Sequence, residues 1–129
     1  QNDLVAAKAI LRTFCATMSE LGENLGPSFL QLPPSFGPRD RTSLEKLLEA
    51  VPAGYRLSVE FRHPDWFTDR ELPEGLLSFL SERGLGTVIT DTAGRRDVVH
   101  SSLTTRTAMV RFLGNRLHPS DFVRLDDWT

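Results

Sequence analysis

Apolar residues in the first part of the chain recur at steps of three, four or seven: Leu4, Leu11, Phe14, Met18 and Leu21, with Lys8, Arg12 and Glu20 on other faces. That period predicts an amphipathic helix ended by Gly22. A short apolar run between breakers, Gly26 to Pro34, then reads as a buried strand ending near Leu32, because it is too short for a helix. Thr42 and Glu45 have the spacing of a capping box, and Leu44, Leu47, Leu48 and Val51 give the helix they open one apolar face before Pro52 and Gly54. A second strand is predicted over about Tyr55 to Phe61. Pro73 suits a first helical residue, Leu76, Phe79 and Leu80 form a face, and Gly84 suits the stop. Gly86 to Thr90 reads as a third strand, residues 94–97 as part of a polar loop, and Ala108 to Leu113 as a fourth strand. A last helix is predicted from His118, with Phe122, Leu125 and Trp128 on its apolar side.

Strands beginning near residues 28, 55, 86 and 108, the first three about 30 residues apart, have the spacing of strand-helix-strand units with parallel pairing. The fold class is therefore α/β. Opening on a helix with no strand before it, and stopping inside another, the chain reads as part of a larger repeat, a single partial domain over residues 1–129.

Period-two alternation in the second strand separates Leu57, Val59 and Phe61 from Arg56, Ser58, Glu60 and Arg62. The apolar set should face the helices and the polar set the opposite side. An open doubly wound sheet would bury those charges under a second helix layer at several kcal/mol per unpaired ion. A barrel with a solvated mouth would not. The fourth strand repeats the pattern, with Val110 and Phe112 opposed to Met109, Arg111 and Leu113. In the third, Asp91 shares the parity of Thr87 and Ile89, and in the first Gln31 opposes Leu30 and Leu32. Polar groups thus gather at the C-terminal ends of four strands, the edge where parallel α/β folds bind ligands.

Composition narrows the picture. The 129 residues are 40% hydrophobic and 25% charged with a formal net charge of -2, an ordinary globular make-up with no global pull toward nucleic acid or anionic membrane. Any anion site must be local. Lone Cys15, set among Phe14 and Met18, excludes an internal disulfide and a cysteine-based zinc site and reads as a buried, inert thiol. No apolar window reaches the length of a membrane span and no signal-like segment opens the chain, which favours the cytoplasm.

The phrases LGPSFLQLPPSF (residues 25–36), VEFRHPDWF (59–67), VITDTAG (88–94) and VRFLGN (110–115), in this order and spacing, resemble the YecE-like family, the domain of unknown function seventy-two. The resemblance covers nearly the whole chain. It implies a TIM-type (β/α)8 barrel of about twice this length, of which these strands would be about the fourth to the seventh. Two departures matter. The family's opening Gly-Thr-Ser-Gly-Trp-like strand and its Glu-x-Asn-like strand are absent, and Leu113 stands before Gly114 where many members have His, so no role of that His carries over. The family has no established activity.

At the barrel mouth, Glu60 could act as general acid or base, or could form a structural ion pair with Arg62 or Arg111. Arg62 and Arg111 could clamp an anion with their donor forks, or neutralise Glu60 and Asp91 with the same geometry. His63, extended before Pro64, could shuttle protons or ligate a metal, or could cap and pack. Trp66 could be a stacking platform, or a hydrophobic plug over the rim. Asp91 and Thr92 could orient substrate hydroxyls or cap a turn, and Arg95 and Arg96 could steer anions or simply be solvated.

His63, His100 and His118 are dispersed, with no i, i+4 pair and no carboxylate at ligand spacing, which gives a metal site little support; no nucleophile elbow, P-loop or dinucleotide fingerprint is present, and no metal or cofactor is assigned. The leading reading is an enzyme for a small anionic or hydroxylated substrate, with Glu60, Asp91 and His63 catalytic and Gln31, Arg62, Trp66, Thr92 and Arg111 binding. Its chemistry would be hydrolytic or lyase-like. The alternatives are a nucleic-acid or phosphodiester binder, disfavoured by the near-neutral charge, and a non-catalytic partner-binding barrel. A partial barrel would expose strand edges and self-associate.

Overall fold

A computed structural model describes residues 2–92 and 96–113. The helix expected from His118 and the Gly94-Arg95 part of the polar loop lie outside the described residues. The elements are α1 (Asn2–Ser19), β1 (Ser28–Gln31), α2 (Arg41–Leu48), β2 (Leu57–Glu60), α3 (Glu74–Glu82), β3 (Gly86–Thr92) and β4 (Met109–Leu113). All strands are parallel and lie in the order β1-β2-β3-β4. Sequential order with parallel pairing curls the sheet into half of a TIM-type barrel.

The core forms between the sheet and the helices. Leu57, Val59 and Phe61 meet Leu44 and Leu48 of α2 and Leu76 and Leu80 of α3, and all seven are buried. At eight residues α2 is too short to stand alone in water. Burying Leu44 and Leu48, each worth about 2 kcal/mol, holds it. Helix α3 ends in a Schellman arrangement: Leu85 N–H bonds Leu80 C=O at 2.9 Å and Gly84 N–H bonds Ser81 C=O at 3.0 Å. Gly84 supplies the positive φ of 65° that this turn needs.

Two local expectations are corrected. Thr42 does not cap α2, because the helix starts at Arg41, straight out of a 3-10 turn at Pro38–Asp40. Asp40 instead accepts from Gly37 N–H at 3.0 Å, and Glu45 is taken by Arg41 Nε at 2.7 Å. In α1 the buried side runs through Leu11 and Cys15, with Met18 partly buried against it, while Phe14, and Leu21 just beyond the helix, are exposed. The helix is rotated so that the small Cys15 fits against the core. Burial pushes the Cys15 thiol above its ordinary pKa, in keeping with an inert group.

Between β3 and β4 the described chain has a 3-10 turn at Arg96–Val98 and then an irregular segment held by polar bonds. His100 is its pin. Its Nδ1 accepts from Ser102 N–H at 3.1 Å, which leaves the proton on Nε2, 3.0 Å from Val88 C=O. The ring is buried and stacks on Phe67 with centroids 5.3 Å apart. Burial lowers its pKa below the ordinary 6.5. Thr104 Oγ1 adds a 2.6 Å bond to Leu85 C=O and Ser102 Oγ accepts from Leu72 N–H at 3.2 Å.

Candidate site at the C-terminal strand ends

Register decides which side chains share a face. Gln31 pairs with Glu60, Val59 with Thr87, Val88 with Met109 and Thr90 with Arg111. Partners in parallel strands point the same way, so Phe29, Gln31, Ser58, Glu60, Val88, Thr90, Thr92 and Arg111 lie on the inner face of the curl. Leu57, Val59, Thr87, Ile89 and Asp91 lie on the helix side.

On the inner face a guanidinium links three strands. Arg111 Nη1 donates to Glu60 Oε2 and, at 3.1 Å, to Gln31 Oε1. Its guanidinium carbon lies 4.6 Å from the centre of the Phe29 ring, a cation–π contact that fixes the plane of the fork. Arg62 follows β2 on the same parity, with Nε 4.0 Å from Glu60 Oε1. Glu60 has no exposed side-chain surface, while Arg62 and Arg111 are 27% and 25% exposed. The mouth therefore does not bathe this carboxylate in water, contrary to the expectation of a solvated charge. Two buried polar atoms on this face, Glu60 Oε1 and Thr90 Oγ1, have no hydrogen-bond partner among the described residues. An unmet buried polar atom costs about 1–3 kcal/mol, so a buried pair of them marks a place where something polar belongs.

The expected site residues separate into three groups. Gln31, Glu60 and Arg111 meet directly, with Arg62 beside them. Asp91 does not join them: it pairs in register with Phe112, on the helix-facing side. Its parity with Thr87 and Ile89 was legible along the strand, but that parity is opposite to the one carrying Glu60. Thr92 shares the inner parity, level with Leu113 beyond Arg111.

His63 and Trp66 serve the loop. His63 caps the 3-10 turn at Pro64–Trp66, its Nδ1 accepting from Asp65 N–H at 3.1 Å. Its ring lies so close to Gly37 that a Cβ there would fall 3.1 Å from Cδ2. Trp66 is 1% exposed, edge-on to Phe61 with centroids 5.2 Å apart, and its Nε1–H donates to Phe36 C=O at 2.8 Å. The indole is enclosed in the core, the position that the plug reading of Trp66 describes. Thr90 and Phe29 went unnoticed in the sequence. Counting back two from Thr92 would have found the first, whereas the second needs the β1 register.

The model for the protein of unknown function DUF72 matches residues 1–129. The chain belongs to the DUF72 family. It is 33% identical over 124 residues to the UPF0759 protein YecE of Escherichia coli K12, covering 82% of this chain and 46% of that protein, with the same figures for the O157:H7 protein. A solved DUF72 family protein from Thermotoga maritima superposes with a TM-score of 0.65 at 32% identity, over 84% of this chain and 42% of the other. The DUF72 chain described here thus spans less than half the length of these relatives. Among the described residues no helix is long and apolar enough to cross a membrane, and no three His, Cys, Asp or Glu residues are grouped to hold a metal ion.

Proposed function

We propose that this DUF72 chain carries the acid/base and anion-binding part of an enzyme site at the C-terminal mouth of the barrel, acting on a small anionic or hydroxylated substrate by hydrolytic or lyase chemistry. The supporting observation is Glu60: a carboxylate wholly out of water, one oxygen on Arg111 and the other without a hydrogen bond. Glu60 is the proton acceptor in this reading, and Arg111 both orients it and offers its remaining N–H groups to an anion. In its hydrogen bonds to described residues, Arg111 donates through Nη1 alone.

This reading gives no part to His63, which caps a loop turn, or to Asp91, which pairs in register with Phe112 on the helix side. The nucleic-acid alternative loses its stacking residue, because Trp66 is buried. Activity profiling of the purified protein against carboxylic and phosphoric ester, lactone and hydroxy-acid substrates tests the reading. Glu60→Gln should reduce any turnover found by about 10²-fold or more, and Arg111→Ala should raise KM. Full activity in both variants overturns it, and the absence of turnover across the panel favours a non-catalytic, partner-binding barrel.

A further inference from the structure

The orphaned atoms on the inner face define a ligand more narrowly than "anionic or hydroxylated". Glu60 Oε1 and Thr90 Oγ1 belong to adjacent strands on one face, Glu60 level with Val88 and Thr90 two residues further along. Strand spacing and rise place their Cα atoms about 8 Å apart on the diagonal. Arg111 is the register partner of Thr90, and its side chain crosses β3 to reach Glu60, so one side chain spans the strands that carry the two orphans. Glu60 and Thr90 are both more than nine-tenths buried, while the arginines are partly open. A ligand therefore meets the guanidinium groups first and the carboxylate beneath them second.

Each simple ligand class fails one of these groups. A bare anion suits Arg111 but has no proton for Glu60 Oε1, and its charge opposes that of the carboxylate. A neutral polyol can donate to Glu60 Oε1 but gives no charged acceptor to the Arg111 N–H groups that Glu60 and Gln31 do not use. A molecule that joins an anionic group to a neighbouring hydroxyl satisfies both: the anion accepts from Arg111 and from the Thr90 hydroxyl, and its hydroxyl donates to Glu60 Oε1. We infer that the inner face around Glu60, Thr90 and Arg111 is a binding site for a small hydroxylated anion, a 2-hydroxycarboxylate or a hydroxyalkyl phosphate. This rests on the reading of the mouth as a ligand site and adds the substrate class. The same geometry places the ligand's hydroxyl proton on the oxygen assigned as base.

Calorimetric titration of the purified protein at low salt tests the inference without requiring turnover. The probes are glycerate and glycerol 3-phosphate, their hydroxyl-free counterparts propionate and propyl phosphate, and neutral glycerol. At least one hydroxylated anion should bind about tenfold more tightly than its hydroxyl-free counterpart, the scale of one hydrogen bond to a charged group, and the better of the two tells carboxylate from phosphate. Glycerol should bind more weakly than both. Glu60→Gln should shrink the hydroxyl preference to about threefold or less, and Thr90→Val, which keeps the shape of the side chain, should weaken glycerate and propionate alike.

Equal binding of hydroxylated and hydroxyl-free anions overturns the inference, as does glycerol binding as tightly as the anions. So does the absence of binding by all five probes at about 10 mM, in which case water fills the orphan positions. If Glu60→Gln does not fold, Thr90→Val carries the test. Probe binding with no turnover defeats the enzymatic reading and leaves this one standing. Turnover with no hydroxyl preference does the reverse.

Discussion

Arg111 on β4 holds Glu60 on β2 across the whole width of β3. Among the described residues, neither β1 nor β3 supplies a cation to that buried carboxylate, and Arg62, from its own strand end, stands at 4.0 Å. Removing the long-range partner should therefore be costly. Arg111→Met is expected to destabilise the fold by about 3 kcal/mol, the cost of leaving a buried charge unpaired. Glu60→Met combined with Arg111→Met should recover most of that loss. Urea unfolding of the two variants measures both, and equal stabilities for the single and double variants would show that the pair contributes little.

Trp66 should behave as a structural residue. Trp66→Phe removes the bond to Phe36 C=O and is expected to cost about 1–3 kcal/mol, and Trp66→Ala about 3–5 kcal/mol. Anion affinity in titration should stay within about twofold of the parent for Trp66→Phe. A larger drop in affinity, with little change in stability, would return the indole to the ligand site.

Acid should loosen the β3–β4 connection through His100. Its folded pKa lies below the ordinary 6.5, so the unfolded chain takes up the proton more readily. The contribution is present above pH 6.5 and is lost as pH falls below it, with a limiting slope of about 1.4 kcal/mol per pH unit. Denaturation midpoints of the parent should fall between pH 7.5 and 5 more steeply than those of His100→Gln. Parallel profiles for the two proteins would contradict this.

The outer edges of β1 and β4, which have no further strand beside them in the described sheet, should make the 129-residue chain self-associate. Val110 and Phe112 are 46% and 60% exposed on the helix-facing side of β4, next to an edge whose backbone groups lack a neighbouring strand in the described sheet. Light scattering after size-exclusion chromatography should show mass rising with concentration, and Phe112→Glu should reduce the effect. A monomer at all concentrations would count against it.

Much of this arrangement is written in residue order. Alternation along Leu57 to Arg62 separates the core face from the charged one because a strand buried against helices cannot mix them. Alternation gives parity within a strand, however, and not the register between strands. That is why Asp91 looked like a neighbour of Glu60 and proved to lie on the other side. Thr90 was hidden for a different reason: in GTVIT a threonine reads as a strand former, and its unmet hydroxyl becomes visible only once Arg111 lies beside it. Trp66 follows a charged, proline-marked turn, a context that suits either a rim contact or a plug. The carbonyl of Phe36, thirty residues away, decides between them.

The near-contact of Gly37 with the His63 ring bears on how the mouth can open. Together with the indole bond to Phe36, it interlocks the loop after β1 with the loop after β2, like two teeth of one gear. Neither can swing outward without dragging its neighbour and exposing a buried tryptophan. Movement of these two loops must therefore be concerted, so that a substitution in one is felt in the other.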